Sequence, residues 1–125
     1  MKTTHAVSWF ELPVKDLDRA KAFYEAMFEC AMPIFEMGDA VSAFFPADLE
    51  NGGVGGCILK QEGFEPSAKG TLVYLNGGDD LDVPLSRVEK AGGSVLLPKT
   101  SIGPHGFMAH FMDTEGNKVA LHSNA

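Results

Sequence analysis

His110 and His122 are the side chains of this sequence best suited to proton chemistry, because imidazole titrates near neutral pH and can act as a general base. They sit in "GFMAHFMD" and "NKVALHS", two short segments that read as strands. His5 and His105 lie near a terminus and in a Gly-Pro loop, with less claim to chemistry. Glu11 adds a carboxylate to an early strand, where its ordinary role is that of a solvated strand residue. Cys30 and Cys57 form no CxxC pair, and no Cys/His spacing points to structural zinc; both read as reduced thiols. "GGVGGC" lacks the GK[ST] and the following helix of a phosphate loop, and reads as a strand kept small where something approaches closely. "DTEGN" lacks the spaced acidic ligands of a calcium loop and reads as a turn.

Composition narrows the function classes. The chain has 125 residues, which argues for one domain burying roughly two-thirds of the surface its unfolded form exposes. With 45% hydrophobic and 22% charged residues, global disorder is excluded. Ten basic and seventeen acidic residues give a net charge of -7, and no Lys/Arg cluster offsets it. Binding to nucleic acid or to an anionic membrane is therefore not expected. "MKTTHAVSWFELPV" has one basic residue and no long apolar run, so no signal peptide is expected. Nor is there an apolar stretch of about 18 residues to span a membrane. The expectation is a cytoplasmic protein in a reducing compartment.

The elements that would position these residues follow from periodicity. "AVSWFELPV" reads as a strand ending at Pro13. "KDLDRAKAFYEAMFEC" reads as a helix capped by Asp16 or Asp18, with Leu17, Ala20, Phe23, Tyr24, Met27 and Phe28 on one apolar face. Three strands follow, around residues 33–37, 40–46 and 53–60. After the connector "EGFEPSAKG" the order restarts: "TLVYLN" as a strand, "DDLDVPLSRVEKAGG" as a helix, then "SVLLPKTSI", "GFMAHFMD" and "NKVALHS" as strands. A β-α-β-β-β order occurring twice points to a duplicated unit.

This doubled order, with "PVKDLDRAKAFY" early and "DTEGNKVALHS" late, resembles the vicinal oxygen chelate superfamily of glyoxalase I, bleomycin resistance proteins and extradiol dioxygenases. Asp16, Arg19, Ala20, Phe23 and Tyr24 match its "VxDxxRAxxFY" helix entry, "EKAGGSVLLP" its second helix end, and "DTEGNKVALHS" its "DPxGNxxEL" hairpin. The resemblance covers essentially the whole chain. It implies an α+β fold in which two βαβββ modules, about residues 5–62 and 68–123 of a single domain 1–125, form a curved, cup-shaped mixed β-sheet with helices outside. It further implies that a metal-dependent member would place ligands on the first and last strand of each module. Those positions fall here on Trp9, on Cys57 within "GGCIL", on Thr71 or Val73, and on Ala120. Three or four of the four are no usual donors, so neither a metal nor another cofactor is expected.

Strand alternation then predicts a lining of Trp9, Glu11, Cys57, Thr71, Val73, Met108, His110, Ala120 and His122, a mostly apolar surface with a few polar groups. The seven expected to meet a ligand are Trp9, Glu11, Cys57, Thr71, Met108, His110 and His122. Met108 with Met112 also reads as packing, and Trp9 as core. The first functional reading is a bleomycin resistance-like module that binds a small organic ligand without metal; Glu11 and the acidic balance favour a neutral or cationic one. The second is a lyase, isomerase or dioxygenase of the same superfamily, using a displaced metal site or a His/Glu general base. The third is a partner-binding or structural domain without ligand. A homodimer is expected, because superfamily members commonly pair and small sheets need cover for their edges.

Overall fold

A helix starts where the sequence supplies a cap and an apolar stripe together. A computed structural model describes residues 4–125, and in it Asp16 caps the first helix by accepting a hydrogen bond from the Arg19 N–H at 3.0 Å. This helix, α1 (Leu17–Phe28), buries Leu17, Ala20, Phe23, Tyr24 and Met27, spaced as one helical face. It follows β1 (Trp9–Pro13) and precedes β2 (Ile34–Met37), β3 (Ala40–Phe44) and β4 (Gly55–Lys60). The second half repeats the order: β5 (Tyr74–Asn76), α2 (Asp82–Leu85), β6 (Ser94–Ser101), β7 (Phe107–Met112) and β8 (Lys118–Ser123).

The strands form two four-stranded sheets, ordered β1-β4-β3-β2 and β5-β8-β7-β6. In each, the outer pair β1–β4 or β5–β8 is parallel and the rest antiparallel, so the fold is α+β with mixed sheets. The parallel pairings follow from the helix between first and second strand, since a parallel return needs a crossover. β1 and β5 each lie at a sheet edge.

The second helix is much shorter than "DDLDVPLSRVEKAGG" predicts. Past Leu85 the chain tightens into turns, with Arg87 and Val88 N–H groups bonding three residues back, to Pro84 and Leu85. Pro84 offers no N–H, and the Ser86 hydroxyl donates to the Val83 carbonyl at 2.8 Å, competing with the helical ladder. Val88 is nonetheless fully buried, so the segment covers its sheet without being a regular helix.

Helix α1 serves both halves. The Tyr24 ring packs edge-on against Phe45 at 5.1 Å, and the Phe23 ring meets Phe111 of β7 at 6.1 Å. The "DTEGN" turn then clasps the helix entry. Glu115 accepts hydrogen bonds from the Lys15 and Asp16 N–H groups at 2.9 and 2.8 Å and an ion-paired bond from Arg19 Nε at 2.7 Å. Asn117 donates to the Pro13 carbonyl at 2.7 Å, and the buried Tyr24 hydroxyl donates to Asp113 at 2.8 Å. Asp113 in turn accepts the Glu115 and Asn117 N–H groups, which fixes the turn itself. The hairpin is thus an inter-module clasp.

Candidate functional site

Alternation along β1 separates two faces. Phe10 and Leu12 pack with the core, while Trp9 and Glu11 point the other way. Trp9 faces Gly55 and Phe10 faces Gly56 across the β1–β4 ladder. Both glycines make room for these rings: a Cβ on Gly56 would overlap the Phe10 ring, and one on Gly55 would come within 3.2 Å of the Trp9 ring. The close approach that "GGVGGC" foreshadows is therefore made by the chain's own aromatics. The Trp9 ring meets Phe44 edge-on at 5.1 Å, and Phe44 continues to Phe35 at 5.8 Å.

Cys57 lies opposite Glu11 and is buried. Burial and then the Glu11 charge push its thiol up to about 11, against a weaker opposing pull from the Trp9 indole. The group stays a protonated thiol at neutral pH, and a thiol is a poor metal ligand compared with a thiolate.

The ladders correct the register expected for the second module. The Val14 N–H bonds to the Leu59 carbonyl, and the Gly77 N–H bonds to the His122 carbonyl in the same relation. These matched bonds pair Cys57 with Ala120 and Trp9 with Leu72. The position expected at Thr71 or Val73 thus falls between them. Val73 packs against the core, Thr71 is exposed ahead of β5, and Tyr74 lies across the ladder from Ala120, on the same face. The four positions are Trp9, Cys57, Leu72 and Ala120: indole, protonated thiol, isobutyl and methyl. They do not fit a divalent ion. Among the described residues no group of three or more His, Cys, Asp or Glu is gathered so that it could hold one.

On the second sheet, Phe107, Ala109 and Phe111 pack with the core, which turns Met108, His110 and Met112 to the other face. The Tyr74 hydroxyl lies 3.7 Å from the Met108 sulfur, and its ring meets His110 edge-on at 6.2 Å. His110 Nε2 is buried without a hydrogen-bond partner, and burial followed by the Lys118 charge holds its pKa below the usual histidine value. His122 Nε2 lies 2.6 Å from the His105 carbonyl, which makes it the donor.

A cavity of about 780 Å³ is lined by residues of both edge strands, β1 and β5, and of the segments beside them. Trp9, Phe10, Phe28, Cys30, Phe45, Val54, Thr71, Leu72, Tyr74 and Asn76 contribute to its wall. Of the seven residues expected at a ligand, Trp9 and Thr71 line it. His122 lines a neighbouring cavity of about 380 Å³ with Tyr74 and Asn76, while Glu11, Cys57, Met108 and His110 line neither. Sequence reasoning missed Leu72, Tyr74, Phe28 and Phe45. Phe28 carried a signal, as the helix-face residue nearest the C-terminal end of α1.

Comparison with known proteins extends these observations. A family model described as bleomycin resistance protein-like N-terminal matches residues 7–41. A glyoxylase-like domain-containing protein from Didymella fabae is 31% identical over 122 residues, covering 92% of this chain and 91% of that protein. Among solved structures, a glyoxalase/bleomycin resistance protein from Albidiferax ferrireducens T118 superposes with a TM-score of 0.73 at 16% identity, over 97% of this chain and 100% of that one. TnmS3, an antibiotic binding protein from Streptomyces sp. CB03234, does so with a TM-score of 0.61 at 24% identity, over 100% and 99%. At these identities the two structures speak to the fold alone.

Proposed function

The chain belongs to the vicinal oxygen chelate superfamily, among its glyoxalase- and bleomycin resistance-like members, and from that premise we propose that it binds a small organic ligand, without a metal, in the cavity between β1 and β5. The carrying observation is that Trp9 and Leu72, equivalent positions of the two modules, both wall this cavity with carbon where a chelating member would present donors. A volume of about 780 Å³ falls in the range of small-molecule sites. TnmS3, an antibiotic binding protein on the same fold, supports small-molecule binding as a use of it.

Two measurements test the proposal. Elemental analysis of untagged protein should find no stoichiometric Zn, Ni, Mn or Fe; about one per chain would revive a metal enzyme. A thermal-shift screen of small organic compounds should give saturable hits, because a ligand at about 100 times its Kd adds about 2.7 kcal/mol to native stability. No saturable hit would remove the binding reading.

A second reading, an enzyme working through a general base, is favoured by His110 alone. Its neutral imidazole and unpartnered Nε2 are suited to accepting a proton. It lies outside the main cavity wall, which ranks this reading second. We further propose a homodimer: edge strand β2 leaves Ile34, Phe35 and Met37 about half or more exposed, and these apolar side chains gain from burial. Both cysteines are free, which suits a reducing compartment such as the cytoplasm.

A further inference from the structure

Resting on the binding reading, we propose that the ligand of the β1–β5 cavity is an uncharged, largely aromatic molecule. The chain carries 27 acidic and basic residues, yet among the described residues none of the sixteen lining this cavity is Asp, Glu, Lys, Arg or His. Glu11, the acidic residue of β1, lies outside the wall. Among the described residues of the wall, an anion entering the cavity would lose its hydration and meet no cation, and an ammonium group would meet no carboxylate. The acidic balance of the whole chain therefore does not set the ligand's charge; the wall does.

What the wall offers is ring surface. Trp9 and Tyr74 stand on the two edge strands, with Phe10, Phe28 and Phe45 completing the aromatic part. Aromatic side chains favour aromatic partners through offset and edge-on contacts. The polar features are few and neutral. The Asn76 side-chain oxygen is already taken by the Gly78 N–H at 2.9 Å, so its amide has N–H groups left to donate. A ligand carbonyl or hydroxyl suits that donor, and the unpaired backbone edges of β1 and β5 offer both donors and acceptors. The chemistry is that of a neutral fused-ring compound bearing carbonyl or hydroxyl groups.

Three probes with one ring system and three charges test this: 9-anthracenemethanol, 9-anthracenecarboxylate and 9-anthracenemethylamine. Binding is followed by energy transfer from Trp9, the only tryptophan, to the anthracene ring. The alcohol is expected to bind with a Kd at least tenfold below those of the carboxylate and the ammonium. Thr71→Glu, at an exposed residue of the wall, is expected to improve the ammonium relative to the alcohol by at least threefold. A charged probe binding as tightly as the alcohol overturns the inference and leaves the binding reading standing. A Thr71→Glu variant with unchanged selectivity overturns the assignment to this cavity. Absence of binding by all three probes also overturns the inference, and the compound screen then decides separately whether the binding reading falls with it.

Discussion

Replacing Glu115 by Gln should unclasp the two modules in a pH-dependent way. Burial pushes the Glu115 carboxyl up, but the Arg19 guanidinium, the Asp16 N–H, the Thr114 hydroxyl and the Lys15 N–H outweigh it, and the net value falls from 4.5 to about 2. At about 1.4 kcal/mol per pH unit, that displacement corresponds to about 3 kcal/mol of stability at neutral pH. Arg19 is 52% exposed while the Glu115 side chain is fully buried, so solvent screening at the guanidinium reduces the expectation to about 2 kcal/mol. The folded-state value is depressed, so the contribution is complete above about pH 4.5 and disappears as pH falls through 2. Gln keeps the shape, but presents at best one neutral oxygen to donors that now share a carboxylate. Denaturant unfolding of wild type and Glu115→Gln should differ by about 2 kcal/mol at pH 7, or roughly 8 °C in Tm for a domain of this size. The difference should shrink to less than half by about pH 3. A difference below about 0.5 kcal/mol at pH 7, no more than a surface substitution gives, would refute the reasoning. So would one that stays constant between pH 7 and 3.

Two further outcomes are expected. Trp9→Ala should weaken binding of a cavity ligand by roughly 1–3 kcal/mol, the transfer energy of an apolar side chain, while disturbing the fold less than Phe23→Ala, which removes a ring buried among α1 and β7 and should cost roughly 3–5 kcal/mol. Parallel ligand titrations and urea melts check the ranking, and the opposite order would make Trp9 a core residue. Light scattering at about 50 μM, far above the Kd of a stable dimer, should return twice the chain mass, and a monomeric mass would count against pairing through the β2 surface.

How much the residues disclose in advance depends on how local the deciding interaction is. The cap and apolar face of α1 are written within about a dozen residues, and Asp16, Phe23 and Tyr24 are found where spacing puts them. The faces of β8 are equally readable, because Lys118, Ala120 and His122 alternate there with Val119 and Leu121; on β1 only Glu11, and on β7 only His110, marks the outward face. β5 is different. Leu72, Val73, Tyr74 and Leu75 are all apolar, so a period of two leaves no mark and nothing local says which of them points outward. Only the ladder with β8, closed by the Gly77–His122 hydrogen bond, fixes that register and brings Tyr74 and Leu72 to the site. The shortening of α2 has a local cause that spacing alone does not decide: Pro84 is tolerable in a first turn, and the Ser86 hydroxyl bonds the Val83 carbonyl three residues back instead of leaving the helical ladder intact.

Glu115 is the furthest case. In the sequence it is a turn residue, and its partner Arg19 lies 96 positions away. The same hairpin carries two separable tasks. Asp113, Glu115 and Asn117 face the entry of α1 and hold the modules together through hydrogen bonds that neutral or misplaced groups cannot replace. Ala120, three residues beyond Asn117, takes no part in that clasp; its neighbours are Tyr74 and His110 on the flanking strands. A carboxylate at position 120 can therefore be absent without loosening the fold. This is why the features that mark the superfamily are strong here while the donors that would mark its metal chemistry are not. It also follows that Glu115→Gln should lower stability with little change in ligand affinity, and Trp9→Ala should do the reverse.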